Sequence, residues 1–142
     1  MMHRLLVPLS LLLLASCGDK DDEDDTREVA DEVCEAAEAQ FRTCYPDQDA
    51  SGYAASCGEW VEEQKLRLET AMGQSPEMES CWAAAQDVWM CRYELDCFDE
   101  EAFDGTTPPA DLPDDAPCRA ELFAYGGAEG DGGNDCPQVL TF

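Results

Sequence analysis

Histidine is almost missing from this chain: its 142 residues contain one, His3, inside an N-terminal stretch that reads as a removable leader. Without it the rest of the chain has no imidazole. That excludes Ser-His-Asp and Cys-His nucleophilic machinery, histidine general-base catalysis and histidine-ligated zinc, iron or copper. Cationic side chains are scarce too. Eight Lys and Arg face 33 Asp and Glu, a formal net charge of −25, so nucleic acid and anionic lipid surfaces are repelled. Such a charge favours solubility, basic partners and divalent cations. Lysine occurs only at Lys20 and Lys65. No apolar run approaches the roughly 20 residues of a bilayer span. No two cysteines stand at C-x2-C spacing: the intervals from Cys34 to Cys136 are 9, 12, 23, 9, 5, 20 and 17 residues, unlike zinc ribbons, ferredoxins or thioredoxins. Paired carboxylates can do glycosidase-type acid-base work, but no frame singles out two among 33 acids. The expectation is a non-enzymatic protein without a cofactor.

What is present begins with an address. Residues 1–4 are weakly basic, and residues 5–14 are apolar except for Pro8 and Ser10, the pattern of an export signal. Leu14-Ala15-Ser16-Cys17 closes it. This small-small-Cys ending resembles the lipobox of bacterial lipoproteins. The resemblance implies a diacylglyceryl chain on the Cys17 thiol, cleavage just before it and acylation of the new N-terminus. It places the protein in a bacterial envelope, held to the membrane by lipid. Gly18 beside the anchor favours the outer over the inner membrane, by the sorting rule of enteric bacteria. Removing residues 1–16 leaves 126 residues and, with Arg4 gone, a charge of −26. Residues 17–25 are strongly acidic and cannot bury apolar area to offset ordering entropy, so they read as an extended, self-repelling tether. A cysteine-rich helical domain is expected over 26–104, and a Pro/Gly-rich extension over 105–142.

Periodicity predicts helices. Ala30, Cys34, Ala37, Phe41 and Cys44 recur at three- and four-residue steps over 26–44, giving one apolar stripe behind a capping-box-like Asp25 and Glu28. A second helix is expected from Ser56, capped by Ser56-x-x-Glu59 and stopped by Gly73; Gln64 is the weak place in its stripe. Pro76 opens a third over 76–93, with Met78, Cys81, Trp82, Ala85, Val88, Trp89 and Tyr93 inward and Cys91 at the edge. Its two tryptophans read as core anchors. Residues 98–103 allow one helical turn. Prolines 108, 109, 113 and 117 make 105–117 irregular, a short fourth helix is expected over 117–125, and residues 139–142 are expected to pack back as an extended end. The fold class is thus all-α: a small disulfide-stapled three-helix up-down-up bundle with a short fourth helix and an irregular C-terminal tail.

With Cys17 acylated, eight cysteines remain, and an even number in an exported chain reads as four disulfides. In an up-down-up bundle the first and third helices run parallel, so the geometry favours Cys34–Cys81, Cys44–Cys91, Cys57–Cys97 and Cys118–Cys136. A local Cys44–Cys57 closure is the rival. The two C-x9-C pairs, Cys34/Cys44 and Cys81/Cys91, resemble the twin C-x9-C hairpins of small oxidised proteins of the mitochondrial intermembrane space, although here another helix intervenes. Lipobox, acidic tether and stapled alanine-rich helices together resemble the small lipoproteins of predatory and social deltaproteobacteria, a likeness that carries location and fold but no active site. The functional expectation is a lipid-anchored envelope protein whose rigid head binds an envelope protein or shapes the surface. The alternative is calcium or another divalent cation on Glu129, Asp131, Asn134 and Asp135, which offer oxygen donors but lack the ligand order of a helix-loop-helix calcium site.

Overall fold

The computed structural model describes residues 21–127 and 133–142, with side chains from residue 26 onward. Three long helices, α1 (Asp21–Cys44), α2 (Tyr53–Met72) and α3 (Pro76–Glu94), precede a short α4 (Cys97–Ala102), a 3-10 turn (Pro109–Asp111) and α5 (Arg119–Gly126). Among the described residues there is no strand. The direction of each helix follows from cross-contacts. Gln86 donates to Glu32, Gln40 donates to the carbonyls of Arg92 and Leu95, and Cys44 bonds Cys97. These pairs lie 52 to 55 residues apart, so α1 and α3 run parallel at a constant offset. Against α2 the numbers run in opposite directions: Phe41 meets Tyr53 while Cys34 meets Cys57, and Trp89 meets Trp60 while Glu79 meets Lys65. The bundle is up-down-up.

Two helix starts differ from the sequence reading. The first helix begins at Asp21, so residues 21–25 are helical and not extended, and Asp25 lies inside the helix instead of capping it. The second helix begins at Tyr53 behind a left-handed Gly52 (φ 79°). Its start is set by Asp49, whose carboxylate accepts from the Ser51 N–H and hydroxyl at 2.8 and 2.7 Å. The Ser56 N–H donates to the Gly52 carbonyl as an ordinary helical bond, so the expected capping box falls within the first turns. The other ends follow the sequence closely: Gly73 closes α2 at φ 71°, and the Ser75 hydroxyl accepts from the Met78 N–H to cap α3.

Core packing centres on α3. Val33 of α1, Val61 and Leu68 of α2, and Met78, Ala85, Val88 and Trp89 of α3 are all buried. Trp89 takes ring contacts from Trp60, Trp82 and Phe142 at 5.2, 5.4 and 6.0 Å. Edge-to-face aromatic pairs such as Trp82 on Trp89 add to the area they bury. The chain end does pack back, as sequence suggests, though without strand geometry. Trp89 Nε1 donates to the Thr141 carbonyl (3.0 Å), the Thr141 N–H donates to Gln64 Oε1 (2.9 Å), and the Tyr125 hydroxyl donates to the Pro137 carbonyl (2.6 Å). Gln64 is therefore no flaw in the α2 stripe: its buried amide oxygen receives the backbone of the tail, as a buried polar atom requires.

Four disulfides are formed, with pairings that correct the sequence reading: Cys34–Cys57, Cys44–Cys97, Cys81–Cys136 and Cys91–Cys118. None of Cys34–Cys81, Cys44–Cys91, Cys57–Cys97 and Cys118–Cys136 occurs, nor does Cys44–Cys57. The reason is register. Pairing Cys34 with Cys81 and Cys44 with Cys91 needs an α1-to-α3 offset of 47, whereas the observed Cys44–Cys97 separation is 53. Six residues along a helix amount to about 9 Å, beyond a disulfide's reach. Cys34 instead meets antiparallel α2, and Cys81 and Cys91 hold the irregular C-terminal segment against α3.

Candidate functional site: one pole of the bundle

Cys17, Glu129 and Asp131 lie outside the described residues. Of the remaining expected cation ligands, Asn134 and Asp135 are exposed, and their N–H groups donate to the carbonyls of Ala124 and Gly127 at 2.9 and 2.8 Å. Asp135 takes a left-handed backbone (φ 50°). This is the turn that brings Cys136 to Cys81. Elsewhere Cys91, Cys118 and Glu121 converge, but both sulfurs are spent in a disulfide and offer no thiolate to a metal.

A long-range polar arrangement sits where α1 and α3 end and α4 begins. Helix C-termini leave carbonyls without intrahelical partners. Gln40 supplies donors there, to the carbonyls of Arg92 in the last turn of α3 and of Leu95 just beyond it, at 2.8 and 3.1 Å. Asp96 then restarts the chain, accepting from the N–H groups of Phe98 (3.0 Å) and Asp99 (2.9 Å), and the Cys44–Cys97 bond clamps this corner to α1. Arg92 lies across it: its guanidinium carbon is 5.1 Å from the Phe103 ring centre and 5.7 Å from that of Tyr93, and Nη2 donates to Glu100 Oε1 at 3.3 Å. The other Glu100 oxygen accepts from the Tyr45 hydroxyl at 3.3 Å.

Titration behaviour follows this geometry. The negative Glu100 beside it raises the Tyr45 phenol above its ordinary value, and burial raises Tyr53 and Tyr93. Asp104 is held well below the usual carboxylate range because it accepts from the hydroxyls and N–H groups of Thr107 and Thr106. None of these shifts moves a group toward neutrality, where a general acid or base operates.

Two hollows flank Leu95. One of about 400 Å³ lies between α1 and the end of α3, floored by Ala36 and Ala39. The other, about 510 Å³, lies between α4 and the proline-rich connection, with Leu112 and Pro113 in its wall. Leu95 lines both. Sequence reading found none of Gln40, Tyr45, Arg92, Leu95 and Glu100 as partners, since their contacts join positions 8 to 55 residues apart. The one visible signal was Arg92 near the end of a predicted helix, where a cation suits the dipole.

Fold and site together define a class: a small all-α domain stapled by four disulfides. Comparison with protein families, with curated proteins and with solved structures finds no match for the chain.

Proposed function

We propose that the protein is a non-enzymatic, lipid-anchored component of a bacterial envelope, most readily of the outer membrane, whose rigid head binds another envelope protein. The observation that carries this reading is the joining of eight cysteines into four disulfides that tie α1 to α2, α1 to α4 and α3 to the C-terminal segment. Such a framework belongs to an oxidising, exported setting. It agrees with an export signal ending in Cys17. A stapled head also loses little conformational freedom on docking, which favours binding. The geometry suits presentation. The helix nearest the anchor, α1, has 24 residues and spans about 36 Å, so the corner at Cys44 and Cys97 stands at its far end.

Intact mass of the protein from its native membrane, before and after reduction and alkylation, tests the anchor and the oxidation state. The expected species begins at Cys17, carries acyl mass and lacks eight hydrogens. An unlipidated chain with free thiols overturns the reading. Cross-linking in intact cells followed by mass spectrometry tests the binding role; a head that captures no neighbour would leave surface structure as its task.

A further inference from the structure

We infer that the two hollows flanking Leu95 form one docking face, and that its occupant is a cationic amphipathic segment of a partner protein. The inference deepens the binding role proposed above by naming the partner's chemistry, and it rests on that role alone, not on the lipid anchor.

The first hollow, with Ala36 and Ala39 beside Leu95, is mostly apolar; the second sets Leu112 and Pro113 among three aspartates. Phe98 lines neither hollow, but it follows Cys97 in the chain and is 80% exposed. A strongly exposed aromatic ring on the short helix that contributes to both linings is a residue type enriched at interfaces. Every charge in the two linings is negative: Glu94 and Asp96 in one, Asp99, Asp104 and Asp115 in the other. Nearby cations are engaged elsewhere: Arg92 by Glu100, Arg119 by Asp114 and the Leu112 carbonyl, and Arg42 by Glu38. Asp104 is kept ionised by its four threonine hydrogen bonds. A mostly apolar hollow beside a mixed one, with only anionic charges in either lining, is complementary to a segment with Leu- or Ile-type residues on one face and Lys or Arg beside them, and it repels an acidic one.

The test uses the oxidised protein and a fluorescent 14-residue helical probe with leucines on one face and lysines on the other, at physiological salt, where charges beyond about 8 Å are screened. A second probe carries glutamate at every lysine position. The face is probed by the triple substitution Glu94→Lys, Asp99→Lys and Asp115→Lys. A control makes the same change in net charge on α2 and the start of α3, with Glu59→Lys, Glu62→Lys and Glu77→Lys. Ala39→Trp fills one hollow without altering charge, and circular dichroism with intact mass verifies folding and oxidation of each variant.

The lysine probe is expected to bind and the glutamate probe not. The Leu95-face variant should lose about tenfold in affinity, as three lost charge pairs of exposed type predict. The control should stay within about twofold, and Ala39→Trp should weaken binding at unchanged charge. Equal losses in both triple variants would reduce the effect to net charge and overturn the docking face. So would absence of probe binding, or calcium that binds alone and displaces the probe from these carboxylates. None of these outcomes touches the anchor and binding-head reading, which the native mass and cellular cross-links decide.

Discussion

The bundle of α1 to α3 and the segment from residue 105 to the C-terminus reach order by different routes. The bundle has long helices, a periodic apolar stripe on each and a continuous core of Val33, Val61, Leu68, Val88 and Trp89. Among its described residues the C-terminal segment has one eight-residue helix, a 3-10 turn and no repeating stripe. It is held by Cys81–Cys136 and Cys91–Cys118, by Tyr125 on Phe142 at 4.8 Å, and by the Thr141 backbone between Trp89 and Gln64. Too short to build a core of its own, it borrows the bundle's. What periodicity does for one half, covalent bonds and a docked chain end do for the other.

Trp89 belongs to both halves, so its loss should be felt most. Trp89→Ala is expected to cost about 3–5 kcal/mol, with one shared unfolding transition in urea; two separate transitions would show the halves to be independent. Next comes the covalent link. Replacing Cys81 and Cys136 together with serine should cost about 2–4 kcal/mol. Hydrogen exchange should rise over residues 119–142 while amides of α1 and α2 stay protected; uniform loss would erase the distinction drawn here. Removing Thr141 and Phe142 strips a ring from the core and leaves the Gln64 amide and the Trp89 indole N–H without their partners, an expected loss of about 2–3 kcal/mol by thermal or urea melting.

A pH experiment sharpens the same contrast. Burial raises the Tyr125 phenol well above its ordinary value, and its proton is held by the Pro137 carbonyl. Unfolded tyrosine ionises near pH ~10. The stabilisation is therefore full below that point and lost as pH rises from it toward the folded value, since the unfolded chain releases the proton first. Melting curves should show a decline confined to that alkaline range, and Tyr125→Phe should remove its contribution for about 1 kcal/mol of lost hydrogen bonding at neutral pH. The smallest effect belongs to the exposed helix pair Arg42–Glu38: Arg42→Ala should change stability by less than about 0.5 kcal/mol in the same melts.

Legibility in the sequence divides along the same line. Helix α3 was readable nearly to the residue because Ser75-Pro76 announces its start and seven apolar positions keep its period. The start of α2 was misplaced because Ser56 offers a capping box, whereas a carboxylate at Asp49 and a left-handed Gly52 turn the chain three residues sooner. Disulfide partners were out of reach for another reason. Periodicity says which face of a helix is inward, but not how far one helix slides along another. A six-residue slide was enough to change every partner of the C-x9-C pairs. Gln64 shows the same limit from the other side: a polar residue in an apolar stripe is explained only by a chain end 77 residues away. The docking face around Leu95 was invisible because it is assembled from α1, α3, α4 and the proline-rich connection at once.

The spans closed by three of the bridges, 34 to 57, 44 to 97 and 81 to 136, overlap in series. A single peptide bond cut anywhere from Cys34 to Cys136 is therefore bridged by at least one disulfide. Nicked once by a protease, this part of the chain would still travel as one covalent piece, its two fragments fastened together until a reductant arrives.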